Sequence, residues 1–167
     1  MRNIYIGIDN GVTGSIGIVS SDGDAIQIKT PVKKEQDYIK SKTRIIKRID
    51  FIALYEFLKQ FKDDETVKNI TCRLERPMIN NRFFHTAISA ARSMEATINV
   101  LELLQIPYDY IDSKEWQRYM FPKGTKDTKV ASNTIGKRFF PTANIHSHED
   151  FDGILIAEYM KRKDNNG

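Results

Sequence analysis

Apolar and polar positions along this chain fall into stretches of two distinct periods. Asn3 to Asp9 (NIYIGID) and Gly14 to Ser20 (GSIGIVS) are β-rich apolar runs separated by Asn10, Gly11 and Thr13, which predicts two adjacent antiparallel strands. Asp22-Gly23 supplies a tight turn into a third strand, Ala25 to Thr30. Pro31 to Arg48 is polar, lysine-rich and poorly periodic, and reads as a basic loop or mobile arm. Phe51, Leu54, Tyr55, Leu58 and Phe61 then recur at helical spacing behind Asp50, a suitable N-cap. Val67 to Leu74 is the fourth strand and delivers Glu75 at its end, where Arg76-Pro77 forces the chain out of the strand.

The longest periodic segment runs from about Phe83 to Leu104, with Ala87, Ala91, Met94, Ile98 and Leu101 on one stripe. Pro107 to Ile111 is a fifth strand, followed by a short helix holding Trp116 and a loop around Pro122 to Gly124. Thr128 to Phe140 and Glu149 to Lys163 are two further helices, and residues 164–167 form a polar tail. The resulting order, β-β-β-α-β-α-β-α-α, predicts one α/β domain over residues 1–167. Its expected core is a five-stranded mixed sheet, three antiparallel strands and then parallel ones, flanked by helices. A chain of 167 residues suffices for one well-packed core and hence one active site.

Composition narrows the function. No apolar run approaches the length of a membrane span, and Met1 to Asp9 reads as a strand, not as a secretory leader. The single cysteine, Cys72, cannot form an internal disulfide, so an intracellular, cytoplasmic setting is expected. The net charge of +4 is modest, but its distribution is uneven. Lys29 to Arg48 holds eight basic residues against Glu35 and Asp37, and Lys114 to Arg138 holds seven against Glu115 and Asp127. Either block alone is as well read as a solvated face. Two of them beside metal-type carboxylates favour a polyanionic substrate.

Those carboxylates come from three places. Asp9 and Glu75 each end an apolar strand, and meet if the strands are neighbours. Glu149 and Asp152 stand three apart at the start of the last helix (HEDFDGILIAEYM) and so share a face. Magnesium takes oxygen ligands of this kind and keeps several waters, and two such ions about 4 Å apart can activate a water and stabilise a leaving oxygen. Each acid also has a plainer reading: Asp9 as a turn residue, Glu75 as an exposed strand end, Glu149 and Asp150 as charges favoured at a helix start. For Asp152 that reading is weak, because it leads directly into GILIA at the buried edge of the helix, where an unpaired charge is costly. No CxxC, HExxH or P-loop offers rival chemistry.

Four segments, GIDNGVTGSIGIV, LERP, SAARSMEATINVL and HEDFDGILIAEYM, resemble the RuvC family of Holliday-junction resolvases, in particular its phage and viral branch, within the ribonuclease H-like superfamily. The resemblance spans nearly the whole chain. It implies a crossover-junction endodeoxyribonuclease that cuts four-way DNA as a symmetric homodimer, with Mg²⁺ (Mn²⁺ as a substitute), two ions per site, and no nucleotide cofactor. It assigns Asp9, Glu75 and Asp152 as metal-binding catalytic acids and Glu149 as the fourth, with His148 and Asp150 as neighbouring alternatives. Ala87, Ala90 and Ala91 would permit close helix approach in a dimer, or simply pack on the chain's own sheet. Bacterial members carry an aromatic wedge three residues after the Glu, where this chain has Met78; Phe83 or Phe84 can take that role, or belong to the core. Arg76, Lys114, Arg118, Lys126 and Lys129 are expected to contact DNA, the last two from one helix face. The 31–48 stretch is extra material relative to the compact bacterial enzymes.

Three other readings follow from the same residues. One is a nuclease of this fold acting on other branched DNA or on RNA–DNA hybrids. Another is a catalytically silent DNA-binding module. The third is an actin-like ATPase or sugar kinase, since GIDNGVTGS resembles a phosphate-binding hairpin, but such proteins need two lobes and 167 residues do not supply both.

Overall fold

The computed structural model describes the chain apart from residues 39–43, 80–81, 143, 146–150 and 167. Its strands are β1 (Arg2–Asp9), β2 (Ser15–Ser20), β3 (Ala25–Lys29), β4 (Val32–Gln36), β5 (Ile45–Ile49), β6 (Val67–Glu75), β7 (Tyr108–Ile111) and β8 (Asn144–Ile145). The helices are α1 (Phe51–Lys62), α2 (Phe84–Leu103), α3 (Ser113–Met120), α4 (Thr128–Phe139) and α5 (Asp152–Asn165). The main sheet has the order β7-β6-β1-β2-β3-β8. β1, β2 and β3 form an antiparallel meander, and β6 and β7 continue the sheet parallel to β1. The five expected strands are therefore present in the expected senses, with two-residue β8 added parallel to β3 at the far edge.

Strand β1 is central and covered on both faces, which is why it reads as an almost unbroken apolar run. Ile4, Ile6 and Ile8 point into a core shared with Leu54 and Leu58 of α1 and Leu101 of α2. Tyr5 faces the opposite core, built from Trp116 of α3, Ile135 of α4 and Ile154 to Ala157 of α5. The sheet is thus a layer between α1 and α2 on one side and α3, α4 and α5 on the other.

Three glycines let α5 lie directly on the sheet. A β-carbon at Gly7 would stand 2.1 Å from Gly153 O, and one at Gly17 would stand 2.1 Å from Ile154 N. A β-carbon at Gly153 would in turn stand 2.8 Å from both Ser15 O and Gly17 N. Backbone therefore rests on backbone, and Ser15 Oγ and Gln27 Oε1 accept the Gly153 and Ile154 amide protons at 3.0 Å each. These bonds satisfy two of the amides that a helix start leaves without intrahelical partners.

Three sequence expectations are corrected. Within the expected loop of residues 31–48, the described residues form two strands: β4 and β5 pair antiparallel, with Val32 opposite Ile49 and Glu35 opposite Ile46. Ile46 and Ile49 are buried, and this anchoring outweighs the polar composition of the arm. The buried stripe of α2 runs through Ser93, Thr97, Val100 and Leu101, while Ala91 is exposed. The buried threonine is tolerated because its hydroxyl bonds Ser93 O at 2.9 Å and Asn10 Oδ1 at 3.2 Å. Finally, α5 begins at Asp152, after the non-helical Phe151; the expected start at residue 149 lies outside the described residues.

Candidate active site at the sheet edge

Asp9 ends β1 opposite Ser15 of β2, and the β1–β6 register, Gly7 with Arg73 and Ile8 with Leu74, makes Glu75 its neighbour across the parallel pair. Alternation along the strand puts Asp9 on the same face as Gly7 and Tyr5, the α5 face. Glu75 shares that face with Arg73. Asp152 is the first residue of α5, one position before Gly153, whose amide is held by Ser15. Three acids from distant parts of the chain thus occupy one edge and one face of the sheet, and all three are half-buried.

Asp152 is oriented from behind. The buried Ser132 of α4 donates its hydroxyl to Asp152 Oδ1 at 2.5 Å and accepts the Phe151 amide proton at 3.0 Å. Phe151 in turn packs where a side chain at Gly136 would stand, which brings α4 close to the start of α5. Next to Asp9, the Asn10 side chain is held by Thr97 through its Oδ1, while its buried Nδ2 lacks a hydrogen-bond partner among the described residues. Ser132 and Asn10 were not singled out from the sequence. The one available signal was Asn10 following Asp9 directly; nothing local marks Ser132, which lies 20 positions from its partner.

Among the described residues no three His, Cys, Asp or Glu side chains gather into a metal-holding group. Glu149, His148 and Asp150 lie outside the described residues. The donor chemistry at the edge, carboxylate oxygen without thiol or imidazole among Asp9, Glu75 and Asp152, nonetheless fits a hard divalent cation. Cys72 is not a rival nucleophile: it is buried in the core, and burial pushes its thiol well above the ordinary range.

The residues expected to meet nucleic acid are all exposed. Met78 is 92 % exposed, Phe83 62 % and Phe84 68 %, so the core alternative does not hold for the two phenylalanines. The Arg76 guanidinium sits 5.2 Å over the Tyr110 ring and reaches Asp112 at 3.5 Å, so it is docked on the end of β7. Lys114 and Arg118 line a cleft of ≈ 310 Å³ with Lys123 and Thr128. Their helix is tied to α5 by Tyr159, whose hydroxyl donates to Glu115 at 2.8 Å and whose pKa burial pushes up to about 12. Lys126 and Lys129 are both exposed but do not share a helix face: Asp127 caps α4 by accepting the Val130 amide proton, which leaves Lys126 before the helix.

This topology, with acids at the ends of adjacent central strands and a last helix crossing them, defines a ribonuclease H-like α/β domain. Its fold is similar to that of two RuvC structures. The Thermus thermophilus RuvC structure in complex with Holliday junction substrate superposes with a TM-score of 0.62 at 12 % identity, over 100 % of this chain and 96 % of that one. A second Thermus thermophilus RuvC structure gives 0.58 at 13 % identity, over 98 % and 97 %. No family model matches the chain, and no curated protein matches it. No helix among the described residues is long and apolar enough to cross a membrane.

Proposed function

We propose that this chain is a structure-selective DNA endonuclease that resolves four-way junctions by metal-dependent phosphodiester hydrolysis, nicking symmetrically as a homodimer. The observation that carries this reading is the shared edge and face of Asp9, Glu75 and Asp152 on a sheet superposable with that of RuvC. In it, Asp9, Glu75 and Asp152 hold Mg²⁺, or Mn²⁺ in its place, and Glu149 is the fourth donor. When bound, two such ions supply an activated water and neutralise charge at the scissile phosphate.

The remaining work belongs to the chain itself. Ser132 fixes the Asp152 carboxylate, and such outer hydrogen bonds commonly govern metal affinity. Lys114 and Arg118, with Lys126 and Lys129 beyond them, hold the phosphate backbone, so affinity falls steeply with salt. The exposed Met78, Phe83 and Phe84 stand beyond the Glu75 strand end, where apolar surface can cover unstacked bases at the crossover. Twofold symmetry in protein and junction then pairs the two nicks.

The test uses a labelled synthetic four-way junction. Asp9→Asn and Asp152→Asn are expected to retain binding in a gel-shift assay and to lose Mg²⁺-dependent nicking; normal cleavage by both refutes the site. Flap, linear and RNA–DNA hybrid substrates in the same panel separate junction resolution from other nuclease activities. A chain that binds every substrate and nicks none is a DNA-binding module instead.

A further inference from the structure

The β4–β5 hairpin is the part of the chain that the sheet-edge site does not use, and its charges are arranged unevenly. On one face Glu35 pairs with Lys33 at 2.8 Å and with Arg48 at 2.6 Å. The other face carries Lys34 and Lys47 directly opposite one another, both exposed, and neither forms an ion pair among the described residues. Like charges directly across an antiparallel pair are destabilising. A protein that keeps such a pair on a marginal two-stranded element has a use for the charge.

The groove beside this pair supplies the use. The hairpin and α2 enclose a cleft of ≈ 570 Å³ whose walls include Tyr38, Lys47, Phe51, Arg92 and Leu103. A second cleft of ≈ 240 Å³ shares Tyr38, Lys47 and Arg92 and runs on to Phe84 and to Val12. Val12 lies in the loop that follows Asp9, so the groove leads from the hairpin to the candidate active edge. Arg44, Lys47 and Arg92 line the two clefts against Asp37 and Glu95, and Arg48, which also lines the larger cleft, is neutralised by Glu35. Tyr38 is 65 % exposed, and the Arg92 guanidinium lies 5.5 Å from the centre of its ring. The Arg92 Nε is buried with no hydrogen-bond partner among the described residues.

A basic groove interleaved with exposed aromatic rings is the arrangement that holds an unpaired nucleic-acid strand, cations tracking the phosphates and rings stacking the bases. A duplex arm would use the charge but leave Tyr38 and Phe84 without a role. We infer that the groove between the β4–β5 hairpin and α2 binds a single-stranded DNA segment, the strand leading to or from the cut site, through Lys34, Lys47 and Arg92 with stacking on Tyr38. The identity of the strand rests on the junction-nuclease reading; the binding does not.

The experiment is fluorescence-anisotropy titration of the full chain with a labelled oligothymidine of roughly 15 nucleotides across a salt series, without divalent metal. The Lys34→Gln/Lys47→Gln double variant is expected to bind at least roughly tenfold more weakly, with a log-affinity against log-salt slope shallower by about 1.4, the value for two lost single-strand phosphate contacts. Its thermal midpoint should not fall, because the substitutions remove a repulsion. Tyr38→Leu should also weaken binding by roughly tenfold, while keeping the parent salt slope. Lys33→Gln, on the neutralised face, should leave both quantities unchanged. Parent-like affinity and slope in the double variant overturn the inference, as does an equal loss in Lys33→Gln. If the parent nicks no junction yet the oligonucleotide results hold, the nuclease reading fails and this one stands.

Discussion

A methyl group added at Gly17 tests the central spatial claim most directly, because it acts on the placement of Asp152 without touching any acid. A β-carbon there would lie 2.1 Å from Ile154 N, 2.2 Å from Ile154 Cα and 2.4 Å from Gly153 C. All three are backbone atoms, so no side chain can swing away and the start of α5 must retreat by roughly 1 Å or more to reach ordinary contact. Overpacking of this kind costs about 1–3 kcal/mol. The retreat also stretches the bonds from Ser15 Oγ and Gln27 Oε1 to the first amides of α5, and each buried amide left unpaired adds about 1–3 kcal/mol. Gly17→Ala is therefore expected to lose about 3 kcal/mol or more. That is a fall in thermal midpoint of roughly 6–12 °C for a chain of this size. Single-turnover nicking of a four-way junction, measured well below the midpoint, should fall about 100-fold, the usual consequence of a 1 Å misplacement. Gly23→Ala is the control: its φ of +108° makes alanine strained, but a β-carbon there meets nothing within 4 Å and the turn is remote from the edge. It should lose about 1–2 kcal/mol and keep full activity below its midpoint. Parent-like stability in Gly17→Ala would refute the backbone-contact argument, and parent-like nicking in a destabilised Gly17→Ala would remove Asp152 from the site.

Two further outcomes follow. Ser132→Ala removes the donor to Asp152 Oδ1 and strands the buried Phe151 amide, so it should cost about 1–3 kcal/mol in denaturant unfolding and raise the Mg²⁺ concentration for half-maximal nicking about 10- to 100-fold; an unchanged metal requirement would show that the hydroxyl does not position the carboxylate. The Thr66 hydroxyl and amide, then the Arg2 guanidinium, hold the Asp64 carboxyl at about 2, so its contribution to stability is present above the ordinary aspartate value near 4 and is lost as pH falls through about 2; Thr66→Val removes the hydroxyl and keeps the amide, so it should move the NMR titration midpoint upward, and an unmoved midpoint would assign the depression to the amide and Arg2.

The parts of this fold legible in the sequence are those whose cause is local. Ile4, Ile6 and Ile8 alternate with Tyr5 because β1 is buried on both faces, and Asp50 caps α1 through the Ala53 amide as its position before Phe51 predicts. Asp9 and Glu75 could be marked because each ends an apolar run. The parts that were not legible depend on contacts between distant residues. β4 and β5 pair because Ile46 and Ile49 find cover, and a run of lysines does not announce two buried isoleucines. Ser93 and Thr97 break the apolar stripe of α2 and are buried nonetheless, because Asn10, 87 positions away from Thr97, receives the hydroxyl. Ser132 is silent for the same reason: its whole significance lies in a carboxylate on another helix.

The two basic blocks, which the sequence could only count, take on separate meanings once the layers are known. Lys114 and Arg118 belong to α3, on the α5 face of the sheet, whereas Lys47 and Arg92 belong to the hairpin and α2, on the opposite face. The acidic edge lies between these layers. A polyanion held by only one block would be drawn along a helix layer, but one held by both must pass across the ends of β1 and β6, where Asp9 and Glu75 stand. The two sets of cations therefore have different expected signatures. Loss of the α3 set should weaken binding of duplex arms, and loss of the hairpin set should weaken binding of an unpaired strand. On the proposed reading, only when both remain does a scissile phosphate have a reason to rest among the carboxylates.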